Sequence, residues 1–232
     1  MEVQIGVSKI NKYASSESGD TLEVVERPNG GLSVVLADGQ RSGKSAKRIS
    51  NMVVRKVISL LAEGVRDGPA ARAASDYLYS QRGGKVQATL NIVSIDLETN
   101  TLVLTRNNPA PTLIGKGPEI QELNGESNSV GIYRNTRPQI TELKMESGIS
   151  VMAFTDGLVH SGDREGKSIE IGSLLSKLLS EEASAQDISD HMVGAALDLD
   201  KGRPIDDISV VTLKILKNKG DQVRRMSVRL PF

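Results

Sequence analysis

The stretch Leu32-Ser33-Val34-Val35-Leu36-Ala37-Asp38-Gly39 is an apolar run that ends on an aspartate and a glycine. A run of this length and composition is typical of a β-strand. The segment Pro28-Asn29-Gly30-Gly31 joins it to a second apolar run over residues 22–26. Proline presets one φ angle and glycine adopts the positive φ of a tight turn, so this segment predicts a hairpin. The two strands are therefore expected to be antiparallel neighbours.

An aspartate at the tip of an apolar strand occurs at four places in the chain. Hard divalent cations bind carboxylate oxygens from several segments, and a glycine beside the acid lets a backbone carbonyl approach the ion. Four uncompensated carboxylates in one place would repel one another, so their convergence would require a cation. The four places are Gly19-Asp20, Asp38-Gly39, Asp156-Gly157 and Asp206-Asp207.

Asp-Gly is also a common turn dipeptide, so each of these places taken singly indicates only a turn. Asp67-Gly68 is interpreted in that way, because it follows a predicted helix and not an apolar strand. The repetition of one context, an apolar strand with a terminal acid, is what distinguishes the other four.

Hairpins outnumber strand–helix–strand units in the rest of the sequence. This balance predicts an α+β fold with mainly antiparallel sheets and not a doubly wound fold. Apolar residues at three- and four-residue steps predict helices over residues 45–64, 69–79, 169–179 and 185–199. Further strands are predicted over residues 3–7, 86–95, 101–105, 112–114, 120–123, 140–145, 150–154 and 208–216.

The composition excludes several classes of function. Lys and Arg number 29, Asp and Glu also number 29, and only six of the 232 residues are aromatic. This balance argues against binding to nucleic acid or to an anionic membrane. The absence of cysteine excludes thiol catalysis and cysteine-bound metal sites.

The two ends of the sequence predict the location of the protein and the bounds of its domain. Residues 1–5 lack the apolar core of a signal peptide, and no apolar run approaches the roughly 20 residues that span a bilayer, so a cytoplasmic location is predicted. The composition becomes basic from Lys217 onward. We therefore expect a single domain over residues 1–216 and a solvated basic tail over residues 217–232, with a docking arm as the alternative for the tail.

The four acidic segments together resemble the metal-dependent serine/threonine protein phosphatases of the PPM or type 2C superfamily. The similarity is to the bacterial branch related to sporulation stage II E proteins, and it covers about residues 3–216. The segments that carry it occur in the same order as in that branch; they are Gly19-Asp20, residues 35–43, residues 107–111, residues 151–158 and residues 206–211.

The resemblance implies a four-layer α/β/β/α sandwich with two mainly antiparallel sheets and a pair of Mn²⁺ or Mg²⁺ ions. Asp38 would bridge both ions with help from the Gly39 carbonyl, and Asp20 and Asp156 would complete the sites. Asp38 and Asp156 would thus be the catalytic residues.

The closing motif leaves two candidates for one ligand. Asp206 matches the first acid of that motif in the resembled branch, and Asp207 is the weaker candidate. The implied activity is hydrolysis of phosphoserine or phosphothreonine by a metal-activated water, which needs no nucleophilic side chain. The implied substrate is a phosphorylated anti-sigma antagonist or the scaffold of a stress-signalling complex, and the oligomeric state stays open.

The sequence also departs from the resembled pattern. Many eukaryotic relatives have a histidine near the first motifs that protonates the leaving group, whereas His160 and His191 are the only histidines here. His160 fits a turn and His191 a helix surface or packing position. Arg41 and Lys44 are candidates for steering a phosphate and fit equally well as exposed cations of a loop and a helix start.

Two other interpretations use the same residues. The run Gly39-Gln40-Arg41-Ser42-Gly43-Lys44-Ser45 is close to a nucleotide-binding P-loop, but that motif requires four residues between its glycines and this run has three. Asp38 would then occupy the place of the first glycine and face the phosphates. The second alternative is a catalytically inactive phosphatase-like module that binds or regulates a partner.

Overall fold

The computed structural model describes residues 1–218, 220 and 222–230 of the chain. The helices are α1 (Gly43–Ala62), α2 (Asp67–Arg82), α3 (Asp156–Val159), α4 (Ile171–Ser180) and α5 (Ala185–Leu199), with a 3₁₀ turn over Asp163–Glu165. The strands are β1 (Glu2–Ile10), β2 (Asp20–Glu26), β3 (Leu32–Gly39), β4 (Ala88–Asp96), β5 (Thr101–Asn107), β6 (Thr112–Lys116), β7 (Glu119–Leu123), β8 (Gln139–Lys144), β9 (Ile149–Phe154) and β10 (Ile208–Leu216).

The ten strands form two antiparallel sheets of five strands each. One sheet has the order β1-β10-β9-β6-β7, and the other has the order β2-β3-β4-β5-β8. The hairpin of β2 and β3 has the predicted antiparallel pairing, with Glu26 opposite Leu32 at the turn. The predicted α+β class with two mainly antiparallel sheets is confirmed.

The sheets stack face to face, and each carries helices on its outer face. Strand β3 shows how alternation produces this layering: Val35 and Ala37 pack under α1 and α2, while Val34 and Leu36 face the other sheet. Helices α4 and α5 cover the first sheet through a second apolar cluster that includes Phe154 and Ile188. The result is the predicted four-layer α/β/β/α sandwich.

The alternation along β3 also decides where its terminal acid lies. Val34 and Leu36 face the interior between the sheets, and Asp38 is the next residue on that same face of the strand. The carboxyl group of Asp38 is therefore directed into the gap between the two sheets, at the end of the sandwich where the strand stops.

Asp67-Gly68 does not form the simple turn that was predicted. Both residues belong to the first turn of α2, which begins two residues earlier than the predicted helix. The carboxylate of Asp67 is buried and accepts a hydrogen bond from the guanidinium of Arg27 at 2.5 Å. Sequence periodicity missed this contact because Arg27 is 40 residues away along the chain.

The last strand ends at Leu216, and the described residues beyond it have no regular secondary structure. In this segment, the guanidinium of Arg224 lies 3.7 Å from the carboxylate of Glu26 in β2. Four residues of the predicted tail, Lys219, Asp221, Pro231 and Phe232, lie outside the described residues. The division into a domain and a tail stays a prediction. Within the part of the chain that is described, no helix has the length and apolar character needed to cross a membrane.

Candidate metal centre

The four predicted acidic segments meet at one end of the sandwich. Asp20 opens β2 and Asp38 closes β3, and the register of these strands places the two residues directly opposite each other. In the other sheet, Asp156 follows β9 and Asp206 precedes β10, and those two strands are also neighbours. The antiparallel topology therefore brings one pair of acids from each sheet to the same end of the sandwich, which is called the acidic edge below.

Hydrogen bonds between the two sheets hold the carboxylate of Asp20. Asp20 is completely buried, and its Oδ2 atom accepts from the Ser209 hydroxyl at 2.6 Å and from the Thr155 hydroxyl at 3.1 Å. Its Oδ1 atom is buried, and no N–H or hydroxyl group among the described residues donates to it. One oxygen of Asp20 is thus held by two hydroxyl groups of the other sheet, and the other oxygen accepts from no such group among the described residues.

Two lysines contact the backbone of Asp20. The ammonium groups of Lys9 and Lys47 donate to the backbone carbonyl of Asp20 at 2.7 and 2.6 Å. Lys9 lies on β1 of one sheet and Lys47 on α1, which covers the other sheet, so elements from both halves of the sandwich contact the residue that opens β2. The positive charge of Lys9 also lowers the pKa of Asp20 and so offsets part of the effect of burial.

The acids of the centre repel one another. Burial, followed by the charges of Asp20 and Asp156, raises the pKa of Asp38 to about 10. Burial also raises the pKa of Asp20 to about 6, although the hydrogen bond from Ser209 opposes this rise. The carboxyl groups of Asp20 and Asp38 lie close enough to share a proton. Without a cation, the folded protein therefore favours a protonated Asp38.

The structure distinguishes the two acids of the closing motif. Asp207 is buried, and its Oδ1 and Oδ2 atoms accept from the backbone N–H groups of Lys12 at 2.9 Å and Gly19 at 2.7 Å. Asp206 is only half-buried, and burial and the charge of Asp156 both raise its pKa. Both carboxylate oxygens of Asp207 accept from backbone N–H groups, whereas Asp206 accepts one backbone hydrogen bond, at its Oδ1 atom from the N–H of Asp207 at 2.9 Å. The choice of Asp206 over Asp207 as the ligand stays a prediction.

The donor set of this edge suits a hard divalent cation. It offers carboxylate and carbonyl oxygens, the ligands that Mg²⁺ and Mn²⁺ prefer. One of them is the Oδ1 atom of Asp20, to which no N–H or hydroxyl group of the described residues donates. Among the described residues, no three His, Cys, Asp or Glu side chains already have the spacing of a closed metal site. The chemistry of these donors therefore fits such an ion, although the side chains do not form a closed site.

The sequence family described as Stage II sporulation protein E (SpoIIE) matches residues 28–216, which include Asp38, Asp156 and Asp206. The chain belongs to the SpoIIE family. The resemblance to the sporulation stage II E branch of the PP2C superfamily, which was inferred from the acidic segments, is therefore confirmed.

Individual relatives agree with this assignment. The Stage II sporulation protein E of Priestia megaterium is 21% identical over 222 residues, which cover 93% of this chain and 37% of that protein. The chain thus spans little more than a third of that SpoIIE relative.

Two solved structures have the same fold. The PP2C phosphatase domain of SpoIIE from Bacillus subtilis, with a fragment of its regulatory domain, has a TM-score of 0.78 and 19% identity, covering 94% of this chain and 64% of that chain. RsbX in complex with magnesium has a TM-score of 0.69 and 19% identity, covering 92% of this chain and 95% of that chain. The SpoIIE-type domain described here therefore has the fold of these phosphatases.

The glycines beside the acids have a packing role in this SpoIIE-family domain. A Cβ atom on Gly39 would lie 2.0 Å from the carbonyl oxygen of Ala46 in α1, and one on Gly157 would lie 2.1 Å from the carbonyl oxygen of Asp207. Backbone segments thus approach so closely at both places that only glycine fits. The sequence explained these glycines only by access of a carbonyl to a cation.

A buried asparagine supports the strand that leads to Asp156. The amide of Asn108 donates to the Phe154 carbonyl at 3.1 Å, and its oxygen accepts from the N–H of Ala110 at 2.9 Å. The guanidinium of Arg106 donates to the Asn108 carbonyl at 2.5 Å. The segment over residues 107–111, which the sequence related to the same branch, therefore braces the end of β9.

Neither histidine belongs to the centre. His160 is exposed and contacts the carboxylate of Asp163 at 3.0 Å, and His191 is exposed and contacts the carbonyl of Asp187 at 2.7 Å. Arg41 and Lys44 are exposed residues of the loop and the first turn that follow β3. In this SpoIIE-type domain the P-loop interpretation is wrong, because β3 lies in an antiparallel sheet and not in a strand–helix–strand unit.

Proposed function

We propose that this domain is a Mn²⁺- or Mg²⁺-dependent phosphatase that removes phosphate from serine or threonine of a partner protein. The observation that carries the proposal is the meeting of Asp20, Asp38, Asp156 and Asp206 at one end of the sandwich. The buried Oδ1 atom of Asp20 accepts from no N–H or hydroxyl group of the described residues. All four acidic positions are filled, which argues against the alternative of a binding module without catalysis.

The acids of the centre would have distinct roles as metal ligands. Asp38, with help from the Gly39 carbonyl, would bridge two ions, and Asp20, Asp156 and Asp206 would complete the sites. When bound, such a pair of ions lowers the pKa of a water molecule and neutralises the charge of the phosphoryl group.

Other residues would keep the ligands in place. Ser209 and Thr155 fix the orientation of the Asp20 carboxylate. Asp207 ties the segment before β2 to the segment before β10, and so holds two of the ligands at a constant distance. This arrangement needs no nucleophilic side chain, which agrees with a sequence that has no cysteine.

We further propose that the substrate is a cytoplasmic signalling protein of the anti-sigma antagonist or stress-complex scaffold type. The family assignment and the similarity to the phosphatase domain of a cell-fate determinant support this choice. It stays a proposal because the chain covers only part of the length of its SpoIIE relatives.

Hydrolysis of p-nitrophenyl phosphate and of a phosphoserine peptide tests the function. We expect the purified protein to hydrolyse both with Mn²⁺ and to lose this activity in EDTA. Asp156→Ala should be inactive, whereas Glu142→Gln, which changes an exposed acid on β8, should retain the wild-type rate. A folded wild-type protein that hydrolyses neither substrate with Mn²⁺ or Mg²⁺ would contradict the proposal and favour the binding module.

A further inference from the structure

Two surface segments meet beside the acidic edge and form part of its rim. The N–H of Tyr13 donates to the Pro204 carbonyl at 2.9 Å, and the N–H of Lys12 donates to the carboxylate of Asp207 at 2.9 Å. The N–H of Asp207 in turn donates to the carboxylate of Asp206 at 2.9 Å. Backbone hydrogen bonds therefore fix the position of this rim relative to a proposed metal ligand.

An arginine is stacked on a tyrosine at this rim. The guanidinium carbon of Arg203 lies 5.3 Å from the centre of the Tyr13 ring, and Tyr13 is 55% exposed although it is aromatic. The N–H of Arg203 donates to the Asp200 carbonyl at 2.9 Å in the turn that follows α5. The ring restricts the guanidinium by a cation–π contact, so less conformational entropy is lost when the guanidinium binds a partner.

The two cations of the rim lie outside the close ion pairs of the described residues. Within the described residues, neither Arg203 nor Lys12 forms an ion pair with Asp or Glu at 4.0 Å or less. The N–H of Lys12 contacts the carboxylate of Asp207, whose own N–H contacts Asp206, so Lys12 lies beside that proposed ligand. The rim therefore presents two positive charges and one exposed aromatic ring beside the place where the phosphate would bind.

We propose that Lys12, Tyr13 and Arg203, the cationic rim, bind an acidic side chain that flanks the phosphorylated residue of the substrate. The inference rests on the proposed phosphatase function and adds a preference for substrate sequence to it. A guanidinium matches a carboxylate through two parallel hydrogen bonds, and the ammonium group of Lys12 adds a second positive charge. The tyrosine ring offers an apolar surface to the adjacent part of the peptide.

A set of phosphoserine peptides tests the rim. Each peptide carries one Glu, Gln or Lys at a single position from three residues before to three residues after the phosphoserine. The quantity measured is the ratio of kcat/KM for the Glu peptide to that for the matching Gln peptide, with Mn²⁺ present. Because it is a ratio, a general change in activity cancels.

We expect the wild-type protein to prefer Glu at one or two adjacent positions by about fivefold, the upper range for an exposed ion pair. Arg203→Gln should bring the ratio close to one, and Arg203→Glu should reverse the preference toward the Lys peptide. Tyr13→Phe should keep the preference because the ring remains, whereas Tyr13→Leu should weaken it. Arg72→Glu, at an exposed position on α2, serves as the matched control and should retain the wild-type ratio.

The outcomes separate the rim from the function on which it depends. Hydrolysis of all peptides with the same Glu-to-Gln ratio in the wild type and in both Arg203 variants overturns the rim and leaves the phosphatase intact. A wild-type protein that hydrolyses none of the peptides and no p-nitrophenyl phosphate overturns the proposed function, and the rim with it. Thermal melts of each variant confirm that the compared proteins are folded.

Discussion

Asp38→Asn is expected to lower kcat/KM by about 10³-fold or more, because the residue proposed to bridge both ions loses its charge. The same substitution should leave the ion-free protein as stable as the wild type or more stable. Asparagine resembles the protonated form that burial and the charges of Asp20 and Asp156 already favour at this position. A gain in stability together with a loss of activity is typical of a site that is strained to bind a ligand.

The measurement combines steady-state kinetics with Mn²⁺ and thermal melts in EDTA. Asp198→Asn, which neutralises an exposed aspartate on α5, is the matched control and should change neither quantity. Near-normal turnover of Asp38→Asn would show that Asp38 holds no catalytic ion. A large destabilisation of the ion-free variant would show that its carboxylate has a structural role that the contacts do not predict.

The affinity for Mn²⁺ should rise about tenfold for each pH unit between about 6 and 10. In this window the ion must displace one proton from Asp38, whose pKa in the ion-free protein is about 10. Below about pH 6, Asp20 is also protonated, so the dependence should become steeper. Titration calorimetry at several pH values, in buffers of different ionisation enthalpy, measures both the affinity and the number of protons released.

The stability of the ion-free protein should show the opposite trend. The folded pKa of Asp38 lies above its ordinary value of 3.8, so the folded state holds this proton more tightly than the unfolded state does. Its contribution to stability is therefore fully present below about pH 4 and is lost as the pH rises toward 10. The difference in melting temperature between the wild type and Asp38→Asn should grow over this range. A Mn²⁺ affinity that is independent of pH would contradict the electrostatic account of the centre.

Much of the fold could be predicted because it depends on local signals. The turn at Pro28-Asn29-Gly30-Gly31 fixes the register of β2 and β3, and this register places Asp20 opposite Asp38. The convergence of acids from two separate sheets does not follow from such signals. It was inferred from the repeated context of a strand with a terminal acid and from the family resemblance.

The hydrogen bonds that support the metal centre could not be predicted from local signals. Ser209 and Thr155 are small polar residues beside predicted acids, and nothing local shows that both donate to Asp20, more than 130 residues away. The contrast between Asp206 and Asp207 also depends on distant partners, the backbone N–H groups of Lys12 and Gly19. The one available sequence signal was a polar residue within an apolar strand, as at Ser209.

The most direct test of the central claim is anomalous diffraction from a crystal of this protein soaked in Mn²⁺. The account predicts anomalous peaks at roughly 2.0–2.3 Å from carboxylate oxygens of Asp38 and Asp156, with Asp20 and Asp206 completing the coordination and Asp207 still bound to its two backbone N–H groups. An edge that remains free of anomalous density at saturating Mn²⁺, or a peak bound to Asp207 and not to Asp38, would contradict it.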